Sequence, residues 1–494
     1  MLADRRVKIV ATVGPSICQK EKLRAAITAG VNVVRLNFSH GKHAEHLEVI
    51  RYVRELSKEL LAPVAILQDL QGPKIRVGKF EHGFIEIKEG EMLVIDPDLE
   101  LGREGYLSTD FKELPEVVTP GMKILLDDGL LELTVVKVVD GKVHAQVVYG
   151  GNLKNRKGMN LPGAKLPVEA LTEKDLEDLE FGLSQKVDYV ALSFVRRGED
   201  IRRLRELIES RQPGTRIIAK VEMLEALDYL EEIVALSDGV MVARGDLAVE
   251  VGQSQLPGVQ KRLIHLCNEM GKPVITATQM LDSMVENPRP TRAEITDVAN
   301  AVLDGSDALM LSAETASGHH PIKCIQTMHE ISTEVEKTGE YFYRISLEDE
   351  FTDVAQAIAA SACLTAQKLN ASAIVCLTTS GKTAAMISRF RPKARVIAVT
   401  HVMETLNRLE LIWGIQTLTI HPYRSTDEAM AQIEELLVKY GLVDPGDKVV
   451  LTLGVPVLLK AKTNSLRVFV IGKEIEAKND PGLLQLRFRE IKPR

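Results

Sequence analysis

The chain has 494 residues, of which 45% are hydrophobic and 27% are charged, as in ordinary globular proteins. This composition excludes a mainly disordered chain, a collagen-like chain and a small disulfide-stapled scaffold. The 62 Lys and Arg residues and 69 Asp and Glu residues give a formal charge of -7, and only 4% of the chain is aromatic. We therefore expect no nucleic-acid partner. At about 150 residues per domain, the length predicts about three domains.

The cysteines and the start of the chain indicate a reduced compartment. The five cysteines are widely scattered and form no CxxC pair, which is typical of buried thiols in a cytosolic protein. No apolar run reaches the ~18 residues of a membrane span, and the first residues lack the small-residue cleavage site of a secretory signal. We therefore expect a cytoplasmic protein with no membrane partner.

Short apolar runs alternate with helical patterns along much of the chain. Near-continuous Val, Ile, Leu and Ala runs are typical of parallel strands buried on both faces. Eight such strands alternating with helices indicate a (β/α)₈ TIM barrel, although alternation alone leaves a doubly wound sheet open. The predicted strands cover residues 8–14, 31–39, 64–70, 188–194, 216–222, 239–246, 273–280 and 308–315.

Two other regions depart from this alternation. One has period-two strands with Asp-Gly hairpin signals at Asp128 and Asp140, which predicts an all-β capping domain inserted into the barrel. After about Thr338 a second strand–helix pattern predicts a separate C-terminal α/β effector-binding domain. The predicted limits are 1–71 and 169–344 for the barrel, 72–168 for the cap and 345–494 for the C-terminal domain.

Polar residues follow most of the predicted barrel strands, at the end where such barrels carry their active sites. One such residue is usually a structural ion pair or cap. Several charges converging on one rim are hard to explain by packing, because unpaired buried charge is costly. These residues are Arg35, Asn37, Ser39, His40, Asp69, Lys220, Glu222, Arg244, Gly245, Asp246, Thr278, Gln279, Ser312 and Glu314.

Glu222 and Asp246 are candidate ligands of a hard divalent cation, since Mg²⁺ prefers oxygen ligands from carboxylates, water and substrate. Alternatively, each carboxylate pairs with a nearby cation, Lys220 or Arg244. Lys220 lies two residues before Glu222 and shares its side of the strand. Beside a metal it would stabilise charge on a phosphoryl group or an enolate oxygen. The alternative for Lys220 is a plain salt bridge to Glu222.

Two arginines and a threonine add to the candidate chemistry. Arg35 and Arg76 can clamp phosphate oxygens in the bidentate manner of guanidinium groups, or each can be structural. Thr278 can donate or relay a proton. Alternatively, Thr278 is a buried strand threonine satisfied by backbone groups.

A hydroxyl-rich segment in the C-terminal region, TTSGKTA, follows a predicted strand and opens a helix. Backbone N–H groups at a helix start favour an anion such as phosphate. The segment lacks the first glycine of a Walker A loop, and an ordinary hydroxyl-rich N-cap is the alternative. The candidate effector residues are Thr378, Thr379, Ser380, Gly381, Lys382 and Thr383.

Long ordered motifs make the sequence resemble the pyruvate kinase family over essentially its whole length. The motifs are KIVATVGPS (8–16), VNVVRLNFSHG (31–41), LQDLQGPKIRVG (67–78), NRKGMNLPG (155–163), IIAKVE (217–222), VMVARGDLAVE (240–250), VITATQMLDSM (274–284) and PRPTRAEITDVANAVLDGSDALMLSAETASG (288–318). The resemblance implies phosphoryl transfer from phosphoenolpyruvate to ADP, giving pyruvate and ATP in the last step of glycolysis. It also implies the barrel, the cap, an allosteric C-terminal domain and a homotetramer of the bacterial type.

The resemblance implies a role for each candidate residue. Lys220, Thr278 and Arg35 would be catalytic, and Arg35, Lys220, Gly245, Asp246 and Thr278 would hold the substrate. Glu222 and Asp246 would hold Mg²⁺, for which Mn²⁺ can substitute, and a second Mg²⁺ would arrive with ADP. The residues that would bind the nucleotide are Arg76, Lys157 and His40.

One departure from the family pattern concerns K⁺. Family members that require K⁺ place the ion at residues matching Asn37, Ser39, Asp69 and the carbonyl of Leu70, and many carry Glu where this chain has Lys74. The chain therefore resembles the K⁺-independent branch of the family. We expect the Lys74 ammonium to replace K⁺ electrostatically, so that K⁺ is not required.

A second departure concerns the effector. The segment 454–464 lacks two glycines found in members with a sugar-bisphosphate loop, and it gains Lys460 and Lys462. The added charge favours an anion, but the loop must be shaped differently. We therefore expect a sugar monophosphate or AMP rather than fructose 1,6-bisphosphate.

The residues alone leave two other classes of function open. A Mg²⁺-dependent lyase or aldolase would show a similar carboxylate pair, but would not need Arg76, Lys157 or a large cap. A catalytically inactive regulatory protein would not need to keep any of four residues, Lys220, Glu222, Asp246 and Thr278.

Overall fold

The structure, a computed structural model, describes residues 5–339, 353–456 and 461–472. Eight parallel strands close into a barrel, in which strands that are consecutive around the barrel also follow one another along the chain. The predicted TIM barrel is confirmed, since the first strand pairs with both the second and the last. The barrel strands are Lys8–Val13, Val33–Asn37, Ala65–Asp69, Tyr189–Leu192, Arg216–Val221, Gly239–Ala243, Val274–Ala277 and Ala308–Leu311.

Amphipathic helices cover the outside of the barrel. A typical one, Glu173–Ser184, begins at Thr172, whose hydroxyl accepts a hydrogen bond from the Asp175 N–H in a capping box. The described residues contain no helix long and apolar enough to cross a membrane. The helices are Lys20–Thr28, His43–Glu59, Glu173–Ser184, Gly198–Arg211, Leu230–Leu236, Arg244–Val251, Leu256–Met270, Arg292–Asp304, Ala313–Ala316 and Pro321–Glu336, with 3₁₀ turns at Leu224–Tyr229 and Asp282–Val285.

The sixth, seventh and eighth barrel strands end three or four residues earlier than their apolar runs predict. The eighth ends at Leu311, just before the helix Ala313–Ala316. The sixth strand ends at Ala243 because Arg244–Val251 is helical. The seventh ends at Ala277 because Thr278 and Gln279 adopt φ values of 71° and 52°, which are outside the range of strand residues. The carboxyl-end rim of the barrel is therefore built partly from a helix start and a left-handed turn.

A β-rich unit lies between the third and fourth barrel strands, as the period-two pattern predicts, although it also contains one short helix. Its hydrophobic cluster, which includes Leu93, Ile124 and Leu133, is separate from that of the barrel. Asp140 and Gly141 turn one hairpin with φ values of 51° and 71°, as a type I′ turn requires. Its elements are strands Lys79–Phe80, Phe84–Ile87, Met92–Ile95, Leu101–Gly102, Tyr106–Leu107, Lys123–Leu126, Leu131–Val139, Lys142–Tyr149, Gly151–Lys154 and Met159–Asn160, and helix Leu114–Val117.

The C-terminal region forms the predicted α/β domain. Its five-stranded sheet has four parallel strands and an antiparallel edge strand, Ser465–Val470. Helices pack on the sheet and bury two hydrophobic clusters. Its elements are strands Ala373–Leu377, Arg395–Thr400, Ile415–Thr419, Lys448–Leu453 and Ser465–Val470, and helices Val354–Leu369, Lys382–Arg389, Met403–Leu409 and Thr426–Lys439.

The C-terminal domain packs against the amino end of the barrel. Leu411 is fully buried in the cluster that fills the barrel interior. Two residues further on, the Trp413 N–H donates to Asp307 Oδ1 at 3.2 Å, and the guanidinium of Arg391 lies 4.5 Å from the Trp413 ring centroid. Apolar packing and charged contacts therefore hold the domain on the side opposite the polar rim.

Leu411→Ala is expected to lower the free energy of unfolding by about 2–5 kcal/mol, because it leaves a cavity that the barrel interior cannot fill. Urea unfolding followed by the fluorescence of Trp413, the only tryptophan in the chain, measures this change. Leu130→Ala removes a side chain that is 73% exposed and is the control. The control is expected to change stability by less than about 0.5 kcal/mol, and equal effects of the two variants would contradict the packing described.

Candidate active site

Three barrel strand ends bring four charged side chains into contact. Asp69 Oδ2 accepts a hydrogen bond from Arg35 Nε at 2.6 Å, and Asp69 Oδ1 lies 3.1 Å from Lys220 Nζ. Lys220 Nζ also lies 3.0 Å from Glu222 Oε1. The side chains of Asp69 and Glu222 are 1% and 3% exposed. We call Arg35, Asp69, Lys220 and Glu222 the charge chain, since each buried charge in it has an opposite neighbour.

Burial and neighbouring charges oppose each other along the charge chain. Burial alone would raise the pKa of Asp69, but the charges of Lys220 and Arg35 hold it below the usual value. Burial alone would lower the pKa of Lys220, but Asp69 and Glu222 hold it above the usual value. Burial raises the pKa of Glu222, and the negative charge of Asp246 raises it further. At neutral pH the charge chain therefore has a fixed ammonium, that of Lys220, at its centre.

Two groups at the end of the fourth strand, the Ser193 hydroxyl and the Phe194 N–H, support the charge chain. Neither residue is among those predicted from the sequence. Lys220 Nζ donates to Ser193 Oγ at 2.6 Å, and Ser193 Oγ donates to the Leu70 carbonyl at 2.7 Å. The Phe194 N–H donates to Glu222 Oε2 at 2.8 Å. These contacts fix the orientation of both Lys220 and Glu222.

Thr12, near the end of the first strand, was also missed. Its hydroxyl accepts a hydrogen bond from Arg35 Nη1 at 2.9 Å and donates to the Leu311 carbonyl at 2.8 Å. The first and fourth strands end without a charged side chain. A hydroxyl residue near the end of a predicted barrel strand is the signal that would have found Thr12 and Ser193.

Gly245, Asp246 and Thr278 meet where the sixth and seventh strands end. The Gly245 N–H donates to Thr278 Oγ1 at 2.9 Å. Asp246 lies in the first turn of the helix that begins at Arg244, with its side chain 24% exposed. The positive φ of Thr278 is an outlier for a β-branched residue and costs on the order of 1–3 kcal/mol.

Glu222 and Asp246 are the candidate donors of a hard divalent-cation site. The charge of Asp246 raises the pKa of Glu222, so a cation shared by the two carboxylates would relieve their repulsion. Both donors are carboxylate oxygens, which suit Mg²⁺. Within the described ranges, no group of three or more His, Cys, Asp or Glu side chains is arranged to hold a metal. Mg²⁺ held by one or two carboxylates commonly completes its octahedron with water and substrate oxygens.

The predicted monovalent-cation residues lie together at the ends of the second and third strands. Asn37 pairs in register with Asp69, and its side-chain oxygen accepts a hydrogen bond from the Ser39 N–H at 3.1 Å. Lys74, the expected substitute for K⁺, makes its ion pair on the divalent-cation side instead. Its ammonium lies 3.5 Å from Asp246 Oδ1.

The candidate nucleotide-binding residues occupy two places. His40 lies in the wall of a rim cleft of about 1060 Å³. Arg76 and Lys157 lie on adjoining segments of the cap, where Arg76 Nη1 donates to the Arg156 carbonyl at 3.1 Å and Lys157 Nζ lies 2.7 Å from Asp127 Oδ1. A ligand that contacts all three candidates must therefore span the rim and the cap.

The candidate effector segment forms a turn before the helix Lys382–Arg389. The Gly381 N–H donates to Thr378 Oγ1 at 3.0 Å, and Gly381 has a φ of 81°, where glycine is preferred. Thr383 is buried and its hydroxyl bonds to that of Thr463. Its side chain therefore faces the protein interior.

The remaining candidates in this segment face solvent. Thr379, Ser380 and Lys382 are exposed, as is Lys462 on the segment 454–464. Lys460 lies outside the described residues. The exposed hydroxyls and ammonium groups are the ones available to an anionic ligand.

Comparisons with known proteins agree with the resemblance that the sequence motifs indicate. The chain matches the family models "Pyruvate kinase, barrel domain" over residues 4–325 and "Pyruvate kinase, alpha/beta domain" over residues 356–469. A pyruvate kinase of Geobacillus stearothermophilus is 46% identical over 473 residues, covering 94% of this chain and 80% of that protein. One of Agrobacterium vitis is 45% identical over 478 residues, covering 95% and 97%.

A crystal structure of a pyruvate kinase from Cryptosporidium parvum is 36% identical in sequence. It superposes with a TM-score of 0.90, covering 95% of this chain and 96% of its own. The resemblance seen in the sequence motifs is thus confirmed in both sequence and fold. The chain belongs to the pyruvate kinase family, which uses a divalent metal, and it transfers the phosphoryl group of phosphoenolpyruvate to ADP to give pyruvate and ATP.

Proposed function

We propose that Lys220 stabilises both the phosphoryl group in transit and the enolate that it leaves. The observation that carries this assignment is the burial of its ammonium between Asp69 and Glu222, at 3.1 and 3.0 Å. Phosphoryl transfer depends mainly on positioning and charge neutralisation. A fixed cation in a site shielded from water is worth more than one in solution, because it needs no reorganisation during the reaction.

Arg35 contacts the phosphate of phosphoenolpyruvate in this proposal. Its guanidinium is held by the Asp69 carboxylate at 2.6 Å and by the Thr12 hydroxyl at 2.9 Å, and it lines the rim cleft. A guanidinium oriented in this way can present N–H groups to phosphate oxygens without first losing conformational freedom.

The substrate carboxylate binds at the backbone of Gly245 and Asp246 together with Thr278. The start of the helix Arg244–Val251 supplies backbone N–H groups there, and these favour an anion. The Thr278 hydroxyl, 2.9 Å from the Gly245 N–H, also lies on the route by which the enolate carbon gains its proton. Gly245 thereby orients a hydroxyl that both binds substrate and relays a proton.

Glu222 and Asp246 would hold Mg²⁺, with Mn²⁺ as a substitute, and a second Mg²⁺ would accompany ADP. Bound metal would neutralise charge on the phosphoryl and enolate oxygens. The carboxylates contribute fixed oxygen donors, of which Glu222 is oriented by the Phe194 N–H at 2.8 Å.

The nucleotide lies between rim and cap, where His40 approaches it from the barrel and Arg76 and Lys157 from the cap. The cap, residues 72–168, is then a lid on the barrel of residues 1–71 and 169–344. Residues 345–494 form an effector-binding domain. We further propose a cytoplasmic homotetramer, as the family resemblance implies.

Lys220→Met is expected to lower kcat by roughly 10³-fold, because it removes a preorganised charge while keeping an unbranched side chain of nearly the same length. Pyruvate release from phosphoenolpyruvate and ADP, with and without Mg²⁺, measures the change. Lys58→Met, on an exposed face of the helix His43–Glu59, is the control, and its kcat is expected to be near that of the unaltered protein. Near-normal turnover of Lys220→Met would contradict the assigned role.

The chain is expected to be active without K⁺, since the Lys74 ammonium supplies a positive charge beside Asp246 at 3.5 Å. In tetramethylammonium salts, kcat should stay within about tenfold of its value in K⁺. Lys74→Glu is the matched variant, and it should lose activity in tetramethylammonium and regain it in K⁺. A more than tenfold loss of kcat by the unaltered protein without K⁺ would refute the substitution of K⁺ by Lys74.

A sugar monophosphate or AMP is expected to shift the phosphoenolpyruvate saturation curve to lower concentrations, through the segment 378–383. Lys382→Ala should weaken the shift, because it removes an exposed cation from that segment. Lys393→Ala, elsewhere on the same domain, should leave the shift unchanged. Saturation curves measured with each phosphate ester test the proposal, and no shift with any of them would remove it.

A further inference from the structure

The turn after the seventh barrel strand has two successive residues in the left-handed region. Thr278 has a φ of 71° and Gln279 a φ of 52°. Residues other than glycine rarely adopt such values, and a β-branched residue least of all, so surrounding contacts must hold the turn in place. Glycine would adopt this backbone without strain, but it would lack the hydroxyl that the proposed mechanism uses.

Arg244 provides these contacts. Its Nε lies 3.2 Å from the carbonyl oxygens of both Ala277 and Thr278, and its Nη2 donates to the Thr278 carbonyl at 2.7 Å. Nη2 also lies 3.4 Å from the Gln279 carbonyl. The planar guanidinium therefore binds both peptide groups that flank Thr278, and because Arg244 is only 9% exposed, water competes little for these bonds.

Asp297 orients the guanidinium from the outer side. This residue lies on the helix Arg292–Asp304, and both of its carboxylate oxygens are 2.8 Å from Arg244 Nη1. The carboxylate also balances a charge that would otherwise be buried alone. On the inner side, the next residue, Gly245, donates its N–H to Thr278 Oγ1 at 2.9 Å.

We propose that Arg244, oriented by Asp297, is a positioning residue that fixes the Thr278 hydroxyl for the reaction. The inference rests on the role proposed above for Thr278. Arg244 directs its N–H groups to backbone carbonyls, to Asp297 and to Met280 Sδ, so it acts through Thr278 and does not touch substrate. A lysine has a compact ammonium that cannot span these acceptors.

Arg244→Lys is expected to lower kcat about 10²-fold, the scale of a misplacement of about 1 Å at a reacting group. The KM for ADP should change by less than about threefold, because no nucleotide contact is altered. Arg54→Lys is the matched control, since Arg54 also binds two carbonyls, of Val64 and Lys186, and one carboxylate, that of Asp188, near the amino end of the barrel. Its kcat should be near normal.

The decisive measurement is a double-mutant cycle with Thr278→Ala. If Arg244 acts through the hydroxyl, the double variant should be no more than about threefold slower than Thr278→Ala alone. Losses that multiply would overturn the proposal, as would a normal kcat for Arg244→Lys beside a slow Thr278→Ala. A Thr278→Ala enzyme with normal kcat would instead overturn the proposed role of Thr278.

Asp297→Asn provides a second test if Arg244→Lys fails to fold. It keeps the guanidinium but removes the charge that orients it, so kcat should fall about tenfold, and the fall should vanish in the Thr278→Ala background. Unfolding followed by Trp413 fluorescence establishes that each variant is folded under assay conditions. A full additional loss in the Thr278→Ala background would contradict the positioning role.

Discussion

The buried ammonium of Lys220 is the group on which the rest of the site depends. Removing a charge from water costs several kcal/mol unless opposite charges lie close by, and here Asp69 and Glu222 provide them at 3.1 and 3.0 Å. Those carboxylates are buried in turn and need partners of their own. Arg35 and the Phe194 N–H are these partners. The charge chain is thus satisfied only when the ends of several strands meet.

The order and curvature of neighbouring barrel strands are what make those ends meet. The third strand pairs with the second and the fourth, and the fifth pairs with the fourth and the sixth. Asp69 and Lys220 are far apart in the sequence, but their strands lie on either side of the fourth strand, so their side chains meet at 3.1 Å. The same arrangement places Ser193, from the fourth strand, between the Lys220 ammonium and the Leu70 carbonyl. The same strand order therefore forms the hydrophobic barrel and brings the polar rim residues together.

Much of the fold could be predicted from the sequence because buried parallel strands leave long apolar runs. The pair Lys220 and Glu222 could also be predicted, since two residues along a strand share a face. Three features could not. The first is the ion pair of Lys74 with Asp246, which depends on how the first residues of the cap are placed above the rim. The second is the role of Thr12 and Ser193, whose local signal, a hydroxyl near a strand end, does not by itself separate site residues from structural serines and threonines.

The third feature that local sequence could not predict is the left-handed turn at Thr278, because its apolar context reads as a continued strand. The turn is held by Arg244, which lies 34 residues earlier in the chain at the start of another helix. Arg244 is in turn held by Asp297, on a third element, the helix Arg292–Asp304. Such backbone strain persists only where neighbouring contacts determine it. A residue in an unfavourable conformation at the rim is therefore understood only together with the residues that bind its carbonyls.

The helix Arg292–Asp304 also connects the two ends of the barrel. On the side of the polar rim, Asp297 of this helix orients Arg244. Just after the helix ends, the Gly305 carbonyl accepts a hydrogen bond from Arg391 of the C-terminal domain at 2.8 Å. The C-terminal domain thus touches the helix whose position sets the guanidinium that holds Thr278. A contact path transmits a signal only when one of its elements has two arrangements that both sites bias. This helix is one element that contacts both the rim residues and the C-terminal domain. The fourth barrel strand is another, since the Tyr189 hydroxyl donates to the Arg408 carbonyl.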